Sequence, residues 1–542
     1  MSRRLIRSMD KMMGVMIDCS RNAVMNADSI KRYAKIIKGM GYNTLMLYTE
    51  DTYEVDNQPY FGHLRGRYSK SELKELSAYC DGIGIELVPC IQTLAHLENL
   101  FKWEAEYYDV IDCDDILLAG DEKTYKLIDD MLSTLSQCFT SRKIHIGMDE
   151  AYRVGTGKYK EIHGIQNRFD IINRHLHRVC GIAGKYGLEP MIWSDMFVKS
   201  ALGIDDQYEE VNYEKISHMP PLPENISLVY WDYYSTDYNH YVKMIKANKA
   251  FGRKVYFAGS GWTSKGFCPD NSFAMETLSP AVKACGNEAV DGMFLTCWGD
   301  DGGECSMFSV LPALMYAAEI RSGNYDMSSI HNKFFNLTGC SFDTFMLLDE
   351  FDKIGGKHYI NPSKYLLYND PFMGIRDALC SADDGRYYGN LAQRIHNADG
   401  KGEFKYLFDS YEKLAYALEI KSCLGIRTRE AYLKADRTAV REIAYAYEKL
   451  IERLNDFHKA YQKMWFSENK PHGFDVQDIR IGGLIWRIKS CMERLRQFAD
   501  GTVDAIPELD EPVLENFNGR DRWCNRWFKI ISANNVVHRL YK

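Results

Sequence analysis

The chain has 542 residues, of which 46% are hydrophobic, so it can bury a large core and is long enough for two domains. Its net charge of −8 and isoelectric point near 6.0 argue against a nucleic-acid-binding protein. The basic N-terminus lacks the apolar core of a signal peptide, and no run of about 18 apolar residues occurs, so we expect a cytoplasmic protein without membrane contact.

Short β-rich runs alternate with amphipathic helical patterns along the first three-fifths of the chain. Eight is the strand number of a (β/α)₈ barrel, and the patterned region has about the usual length of that fold. We therefore predict an α/β fold in which residues 1–325 form a catalytic (β/α)₈ TIM barrel. The predicted strands are 13–20, 42–49, 85–91, 143–149, 189–195, 227–233, 254–260 and 292–299, and the helices between them include 29–40, 70–84, 122–138 and 238–248.

Beyond Tyr325 the alternation stops and long helical periodicity begins, over 406–425, 428–464 and 482–498. This pattern predicts an α-helical C-terminal domain over residues 326–542. Its composition favours a domain that braces the barrel or joins two subunits, so a homodimer is one of the alternatives. The turn-rich aromatic segment 465–474 either connects two helices or reaches a substrate site.

The run 143–150 is an apolar strand that ends abruptly in Asp149 and Glu150. A parallel barrel strand is buried on both faces, so its first polar residues mark the catalytic end of the barrel. The structural alternative is that Asp149 caps the following helix and Glu150 favours its positive end. Similar endings recur, however, and predict a carbohydrate-active site; the polar and aromatic residues at the strand ends are Asp18, Arg21, Tyr48, Glu50, Asp51, Gln92, His96, Trp193, Asp195, Trp231, Asp232, Tyr233, Trp262, Trp298 and Asp300.

The sequence His-Ile-Gly-Met-Asp-Glu at 145–150 resembles the His-x-Gly-Gly-Asp-Glu signature of family 20 glycoside hydrolases, the β-N-acetylhexosaminidases. The chain is most similar to the branch that begins with the barrel and ends in a helical domain. It departs from the family pattern at Met148, where the family has glycine, and at Asp300, where it has glutamate. Further matches are Asp18 with Arg21 (Asp-x-x-Arg), Pro89 with His96 (Pro-Glu…Gly-His) and Trp298 with Asp300 (Trp-x-Glu).

Neighbouring residues have Cα atoms about 3.8 Å apart, so Asp149 and Glu150 are poorly placed to flank a sugar ring as two catalytic carboxylates do. Their position fits substrate-assisted hydrolysis, in which the 2-acetamido oxygen attacks the anomeric carbon and forms an oxazolinium ion. The resemblance then implies an exo-β-N-acetylhexosaminidase acting on terminal GlcNAc or GalNAc. Glu150 would be the acid and base, and Asp149 would hold the acetamido N–H.

Two alternatives stay open. A two-carboxylate retaining β-glycosidase would take its nucleophile from Asp195, Asp232 or Asp300. A non-catalytic sugar-binding barrel would keep the pocket without the chemistry.

The resemblance implies further roles for the strand-end residues. Arg21 would hold the 3- and 4-hydroxyls and Asp300 the 4- or 6-hydroxyl. Tyr233 would bond the acetamido oxygen, with Tyr234 and Tyr256 as competitors. The remaining assignments are the pocket wall of Trp193, Trp231 and Trp298, a polar relay or core role for His96 and His145, and leaving-sugar contact or loop packing for Trp262.

Other chemistries find no sequence support. The chain has neither a Walker loop nor a G-x-S-x-G elbow. Its 15 cysteines form no C-x-x-C pair, which disfavours a zinc site and a disulfide framework. We expect no metal and no cofactor, and a small oligosaccharide as the partner of the site.

Overall fold

The first part of the chain folds as a closed barrel of eight parallel strands in the computed structural model, which describes residues 11–202, 215–216, 218–300, 302–354 and 361–513. The predicted TIM barrel is confirmed. Its strands are β1 (Met12–Asp18), β2 (Thr44–Tyr48), β3 (Glu86–Cys90), β4 (Lys143–His145), β5 (Glu189–Trp193), β6 (Ser227–Trp231), β7 (Lys254–Ser260) and β8 (Gly292–Cys297). Around the barrel the strand order is β1-β8-β7-β6-β5-β4-β3-β2.

The strands form because their residues are apolar on both faces. Every residue of β1 is buried, as is every residue of β2 and β8. One face packs inside the barrel, where Met16, Met46, Trp193 and Phe294 belong to one core, and the other face packs under the surrounding helices. A barrel filled in this way positions the strand ends rigidly.

Each strand is followed by a helix that covers the barrel. The helices begin at ordinary caps: Asn26 accepts the amide of Ser29, and Ser69 forms a capping box with Glu72. The bounds differ from the predicted ones by a few residues at most. The helices are α1 (Ala27–Met40), α2 (Lys70–Gly82), α3 (Glu122–Ser136), α4 (Arg168–Lys185), α5 (Asp195–Leu202), α6 (Tyr238–Lys249), α7 (Asn271–Asn287) and α8 (Leu311–Ser322).

Helices make up the C-terminal part, which confirms the predicted fold class. The predicted helix 428–464 is interrupted, because Ala435 has a left-handed backbone (φ 50°) and Asp436 caps a new helix. The division between residues 325 and 326 stays a prediction. The long helices are α9 (Met327–Thr338), α10 (Asp384–Asn397), α11 (Lys405–Lys421), α12 (Leu424–Leu433), α13 (Arg437–Glu468) and α14 (Phe474–Asp500).

Shorter elements fill the loops. The loop after β3 carries a two-stranded hairpin, Ile111–Cys113 and Ile116–Leu117. Within the described ranges, no helix combines the length and the apolar character needed to cross a membrane. The short α-helices are Glu98–Phe101, Glu104–Tyr107, Lys158–His163, Phe342–Met346, Pro362–Tyr368 and Pro507–Asp510, and the 3₁₀ turns are Tyr108–Val110, Met307–Val310, Leu347–Asp352, Asp377–Leu379 and Gly402–Phe404.

Candidate active site

The carboxyl ends of the strands surround a cavity of about 140 Å³. Ten of the eleven predicted site residues line it, and His145 is the exception. Three lining residues, Tyr234, Ser260 and Ser264, are not among the predicted site residues, and Tyr234 is the predicted competitor of Tyr233. The lining residues are Arg21, His96, Asp149, Glu150, Trp193, Trp231, Tyr233, Tyr234, Ser260, Trp262, Ser264, Trp298 and Asp300.

A tight turn places the two neighbouring carboxylates in this cavity. The predicted strand 143–149 ends early, at His145, because Gly147, Met148 and Glu150 all have left-handed backbones (φ 74°, 71° and 50°). A Cβ atom at Gly147 would overlap the side-chain oxygen of Gln92, so this position requires glycine. Asp149 is buried after the turn, whereas 46% of the Glu150 side chain is exposed.

Asp149 is held from two sides. The Gln92 amide nitrogen donates to Asp149 Oδ1 (2.7 Å), while the amide oxygen accepts from Met148 N (2.9 Å) and fixes the amide's orientation. His96 Nε2 lies 3.3 Å from Asp149 Oδ2. Burial raises the pKa of Asp149, but His96 and Gln92 outweigh it and leave the pKa below its usual range. Burial likewise disfavours protonated His96, yet Asp149 raises the His96 pKa to about 9. The site therefore holds a carboxylate–imidazolium pair at neutral pH.

Glu150 sits in a different electrostatic setting. Burial and the adjacent Asp149 charge raise the pKa of Glu150 above its usual range, although His96 opposes the shift. The backbone amide of Glu150 donates to Asp195 Oδ2 (3.2 Å). Burial raises the pKa of Asp195 to about 7, with a further contribution from Asp149. Two carboxyls with opposite shifts, Asp149 and Glu150, form the acid–base pattern typical of glycosidases.

The far side of the cavity carries Arg21 and Asp300. Arg21 Nε lies 3.4 Å from Glu50 Oε1, and burial raises the pKa of Asp300 to about 6 despite the nearby Arg21. A buried chain of hydrogen bonds joins this side to Asp149. Tyr48 Oη donates to Glu50 Oε1 (3.1 Å) and accepts from Gln92 Nε2 (2.9 Å), which also bonds Asp149.

Gln92 and Glu50 were recognised as strand-end residues but were not assigned to the site. The signal that was present was their position after a barrel strand. The missing signal was orientation. The partners of Gln92, Met148 and Asp149, lie 56 and 57 positions away, and although Glu50 accepts from nearby Tyr48, no local pattern shows that it also faces Arg21.

Aromatic rings enclose the cavity. The ring centroids of Trp193 and Trp298 are 6.1 Å apart, and Trp231 stacks on Tyr233 at 5.1 Å. Trp298 Nε1 donates to Tyr233 Oη (3.0 Å). Trp262 is 1% exposed and donates from Nε1 to the Tyr233 carbonyl oxygen, a contact that packs the loop.

The competing tyrosines occupy different places. Tyr234 borders the cavity beside Tyr233. Tyr256 packs against Gly292 at the amino-terminal start of β8, in the interior core, and is therefore remote from the strand ends.

His145 lies in the core behind the cavity. Its Nδ1 accepts from the Gly147 amide (3.1 Å) and its ring packs 4.3 Å from that of Trp193. Burial lowers its pKa to about 3, so the imidazole is neutral. Its Nε2 has no hydrogen-bond partner among the described residues, so no relay joins it to His96 there. Its burial and its ring packing place it in the core, and its role in the site stays a prediction.

Backbone strain concentrates around this cavity. Non-glycine residues with left-handed φ angles are uncommon, and such strain persists where the surrounding structure enforces it, typically at functional sites. Of eleven such residues in the described part of the chain, five surround or border the cavity: Glu50, His96, Met148, Glu150 and Trp262.

Asp195 and Asp232 do not line the cavity. Asp232 accepts from His240 Nε2 (2.9 Å) and from the backbone amides of Tyr234 and Ser235. Asp149, Glu150 and Asp300 are the acids that face the cavity in the described ranges.

Two family models match the chain. The model described as "Glycosyl hydrolase family 20, catalytic domain" matches residues 12–248. The model described as "Glycoside Hydrolase 20C C-terminal domain" matches residues 343–523.

Relatives share modest identity with the chain. Hexosaminidase D of Bos taurus is 25% identical over 211 residues, which cover 36% of this chain and 56% of the bovine protein. A beta-hexosaminidase of Akkermansia muciniphila is 26% identical over 167 residues, covering 26% of this chain and 34% of that protein. The chain thus spans about half the length, or less, of these relatives.

Solved structures also resemble it. The family 20 β-N-acetylhexosaminidase of Streptomyces coelicolor has a TM-score of 0.43 and 19% identity, covering 60% of this chain and 69% of that one. The β-N-acetylhexosaminidase of Bacteroides fragilis has a TM-score of 0.47 and 19% identity, covering 60% and 70%.

Proposed function

The chain belongs to glycosyl hydrolase family 20, and from this premise we propose that it is an exo-β-N-acetylhexosaminidase. It removes terminal non-reducing β-linked GlcNAc or GalNAc from small oligosaccharides or glycoconjugates. The observation that carries the proposal is the pair of adjacent carboxyls with opposite pKa shifts, Asp149 lowered and Glu150 raised, at one end of one strand.

Glu150 acts as the general acid. A carboxyl whose pKa lies above its usual range keeps its proton closer to neutral pH and can deliver it to the leaving oxygen. The same group, once ionised, activates the water that opens the oxazolinium ion. The exposed half of its side chain leaves room for the leaving group and for water.

Asp149 and Tyr233 orient the 2-acetamido group. Asp149 stays ionised beside His96, so it accepts the acetamido N–H and offsets the positive charge that develops on the oxazolinium ring. Tyr233 Oη already accepts from Trp298 Nε1, so its own hydroxyl proton is available to the acetamido oxygen. The rings of Trp193, Trp231 and Trp298 surround the acetamido methyl.

Arg21 and Asp300 bind the hydroxyls at the far end of the sugar. Arg21 supplies a rigid fork of donors, and its Nε is anchored near Glu50, 3.4 Å away. A site closed in this way at the 3-, 4- and 6-positions accepts a chain end and rejects an internal residue. This arrangement supports exo-action.

The positions of the other carboxylates support substrate assistance over a protein nucleophile. Asp195 and Asp232, two candidates for that nucleophile, do not line the cavity, and Asp232 is committed to His240 and two backbone amides. Asp300 lies on the Arg21 side, where it serves recognition. The nucleophile is then the substrate's own acetamido oxygen.

A panel of chromogenic β-glycosides tests this function. We expect turnover of the N-acetylglucosaminide or the N-acetylgalactosaminide and essentially none of the matched β-glucoside, which lacks the nucleophile. A cyclic thiazoline that mimics the oxazolinium ion should bind far more tightly than the product, as transition-state-like ligands do.

Incubation with a 2-fluoro glucoside followed by mass spectrometry separates the alternatives. A stable adduct on Asp300, Asp195 or another acid contradicts substrate assistance and indicates a two-carboxylate retaining enzyme. Binding of GlcNAc without turnover of any glycoside indicates a sugar-binding barrel instead.

A further inference from the structure

Two loops at the strand ends lie between the cavity and the C-terminal helices. The first, here called the β1 loop, follows β1 and carries Arg21. The second, the β8 loop, follows β8 and carries Asp300. Both residues line the cavity on the side opposite the Asp149–Glu150 pair, because β4 lies four positions from β8 and three from β1 in the ring of eight strands.

A buried ion cluster fixes the β8 loop to the C-terminal part. Glu304, four residues after Asp300, lies 2.6 Å from Lys364 Nζ and accepts from Arg480 Nη1 at 2.8 Å. The three side chains are at most 2% exposed. Tyr461 Oη, from α13, donates to the backbone oxygen of Glu304 (3.1 Å). Charges buried this deeply tolerate little displacement, because separating them leaves an unpaired charge in the interior.

The connector between α13 and α14, residues 469–473, fixes the β1 loop. Lys470 N donates to Val24 O (2.8 Å), and Asn469 bridges Met25 in antiparallel fashion. Asn22 Nδ2 donates to Gly473 O (2.7 Å). The predicted break at 465–474 is shorter than expected, because α13 continues to Glu468. The remaining connector contacts Asn22, the residue next to Arg21.

The two loops also touch each other. Gly299 N donates to Asp18 Oδ2 (3.0 Å), and Asn22 Nδ2 lies 3.4 Å from Gly302 O. A Cβ atom at Gly303 would come within 3.1 Å of Arg21 O. Any shift of one loop is thus transmitted to the other.

We propose that the C-terminal helical domain is a positioning element for sugar recognition. Through the Glu304 cluster and the 469–473 connector it sets the separation of Arg21 and Asp300, and with it the affinity for the terminal sugar. Asp149 and Glu150 follow a different strand, β4, across the ring from β8, so we expect them to keep their chemistry when these contacts loosen. The inference rests on the proposed function of the cavity.

Gly473 and Gly323 offer a matched pair of variants. Both glycines have φ +89°, so alanine introduces the same backbone strain at each. At Gly473 the new Cβ would overlap the backbone oxygen of Asn22, whereas at Gly323, the C-cap of α8, it meets nothing within 4 Å. Gly473→Ala therefore pushes the connector off the β1 loop, and Gly323→Ala serves as its control.

We expect Gly473→Ala to raise KM for the chromogenic substrate, and the inhibition constant of free GlcNAc, by about tenfold, as for loss of one hydrogen bond to a charged group. We expect kcat to stay within about twofold, and Gly323→Ala to leave both constants unchanged. Asn22→Gly keeps the left-handed backbone but removes the hydrogen bond to Gly473 O, so it should also raise KM.

Hydrogen–deuterium exchange gives a readout that does not need activity. In Gly473→Ala the segments 22–26 and 302–306 should exchange faster than in Gly323→Ala, while 147–152 should not change. Equal exchange or equal KM in the two variants overturns the proposal, as does a fall in kcat alone. If the unmodified protein hydrolyses no glycoside, the proposed function fails, and the exchange comparison still decides whether the domain positions the loops.

Discussion

His96 Nε2 lies 3.3 Å from Asp149 Oδ2, and the two side chains form a charged pair at the centre of the site. The pair keeps Asp149 ionised although it is buried. Burial and the charge of the neighbouring Asp149 raise the pKa of Glu150, one residue away, although His96 opposes the shift.

Glu150→Gln removes the proton donor while preserving the shape of the side chain. We expect turnover of natural disaccharides to fall by roughly 10² to 10⁴, the scale of general acid–base catalysis. The loss should shrink for substrates with good leaving groups, which need little protonation. Steady-state kinetics on both substrate types measures it. Glu122→Gln, at a position 78% exposed, is the control, and near-normal cleavage of disaccharides by Glu150→Gln contradicts the assignment.

Asp149→Asn removes the negative charge beside the acetamido group. We expect all N-acetylhexosaminides to lose roughly 10² to 10³ in turnover, as when an oxyanion-hole donor is removed. The pKa of His96 should fall as well, because burial then acts without the opposing carboxylate. NMR titration of the His96 ring measures this shift. A His96 pKa that stays near 9 in this variant shows that another group raises it.

His96→Gln tests the pH dependence. Protonated His96 lowers the pKa of both Asp149 and Glu150, so its removal raises both. Both limbs of the kcat/KM profile should therefore move to higher pH. Unchanged limbs would show that His96 does not set the charge of the pair.

The same pair makes stability depend on pH. His96 has a folded pKa of about 9, above its ordinary 6.5, so its contribution to the free energy of unfolding is complete below pH 6.5 and is lost as pH rises through about 9. Asp149 has a lowered pKa, so its contribution is lost only as pH falls through that lowered value. Between pH 6.5 and about 9, the melting temperature should therefore change less with pH in His96→Gln than in the unmodified protein.

Arg21→Ala should weaken binding of the terminal sugar, because a fork of hydrogen bonds to two hydroxyls is lost. We expect kcat/KM to fall by about 10- to 100-fold, mostly through KM. The control is Arg386→Ala, at a side chain 78% exposed in the C-terminal part. If kcat/KM for Arg21→Ala equals that of the control, Arg21 takes no part in recognition.

The fold could be predicted because most residues of each β-rich run are buried in a strand, and in β1 and β8 all of them are. The convergence of strand-end residues on one cavity follows from that fold, since parallel strands of a barrel end on the same face. The orientation of Gln92 could not be predicted, because the Met148 amide fixes it and that amide depends on the left-handed turn.

Contacts between distant parts of the chain were equally hidden. Asn22 meets Gly473 across 451 positions, and no local pattern announces such a pair. The position of Tyr256, near the start of β8 rather than at the strand ends, depends on where along the barrel β7 places it, which composition does not reveal.

The left-handed residues also bear on how this protein could be made more robust by engineering. Replacing a left-handed non-glycine residue with glycine relieves strain of up to about 1 kcal/mol. At Ala289 and Ala435, both exposed and away from the cavity lining, we expect such changes to raise the melting temperature without altering kcat. At His96 or Glu150 the same exchange would delete the charged partner of Asp149 or the proposed general acid. Selection for thermal tolerance alone would therefore favour replacement of these cavity residues unless activity is screened at the same time.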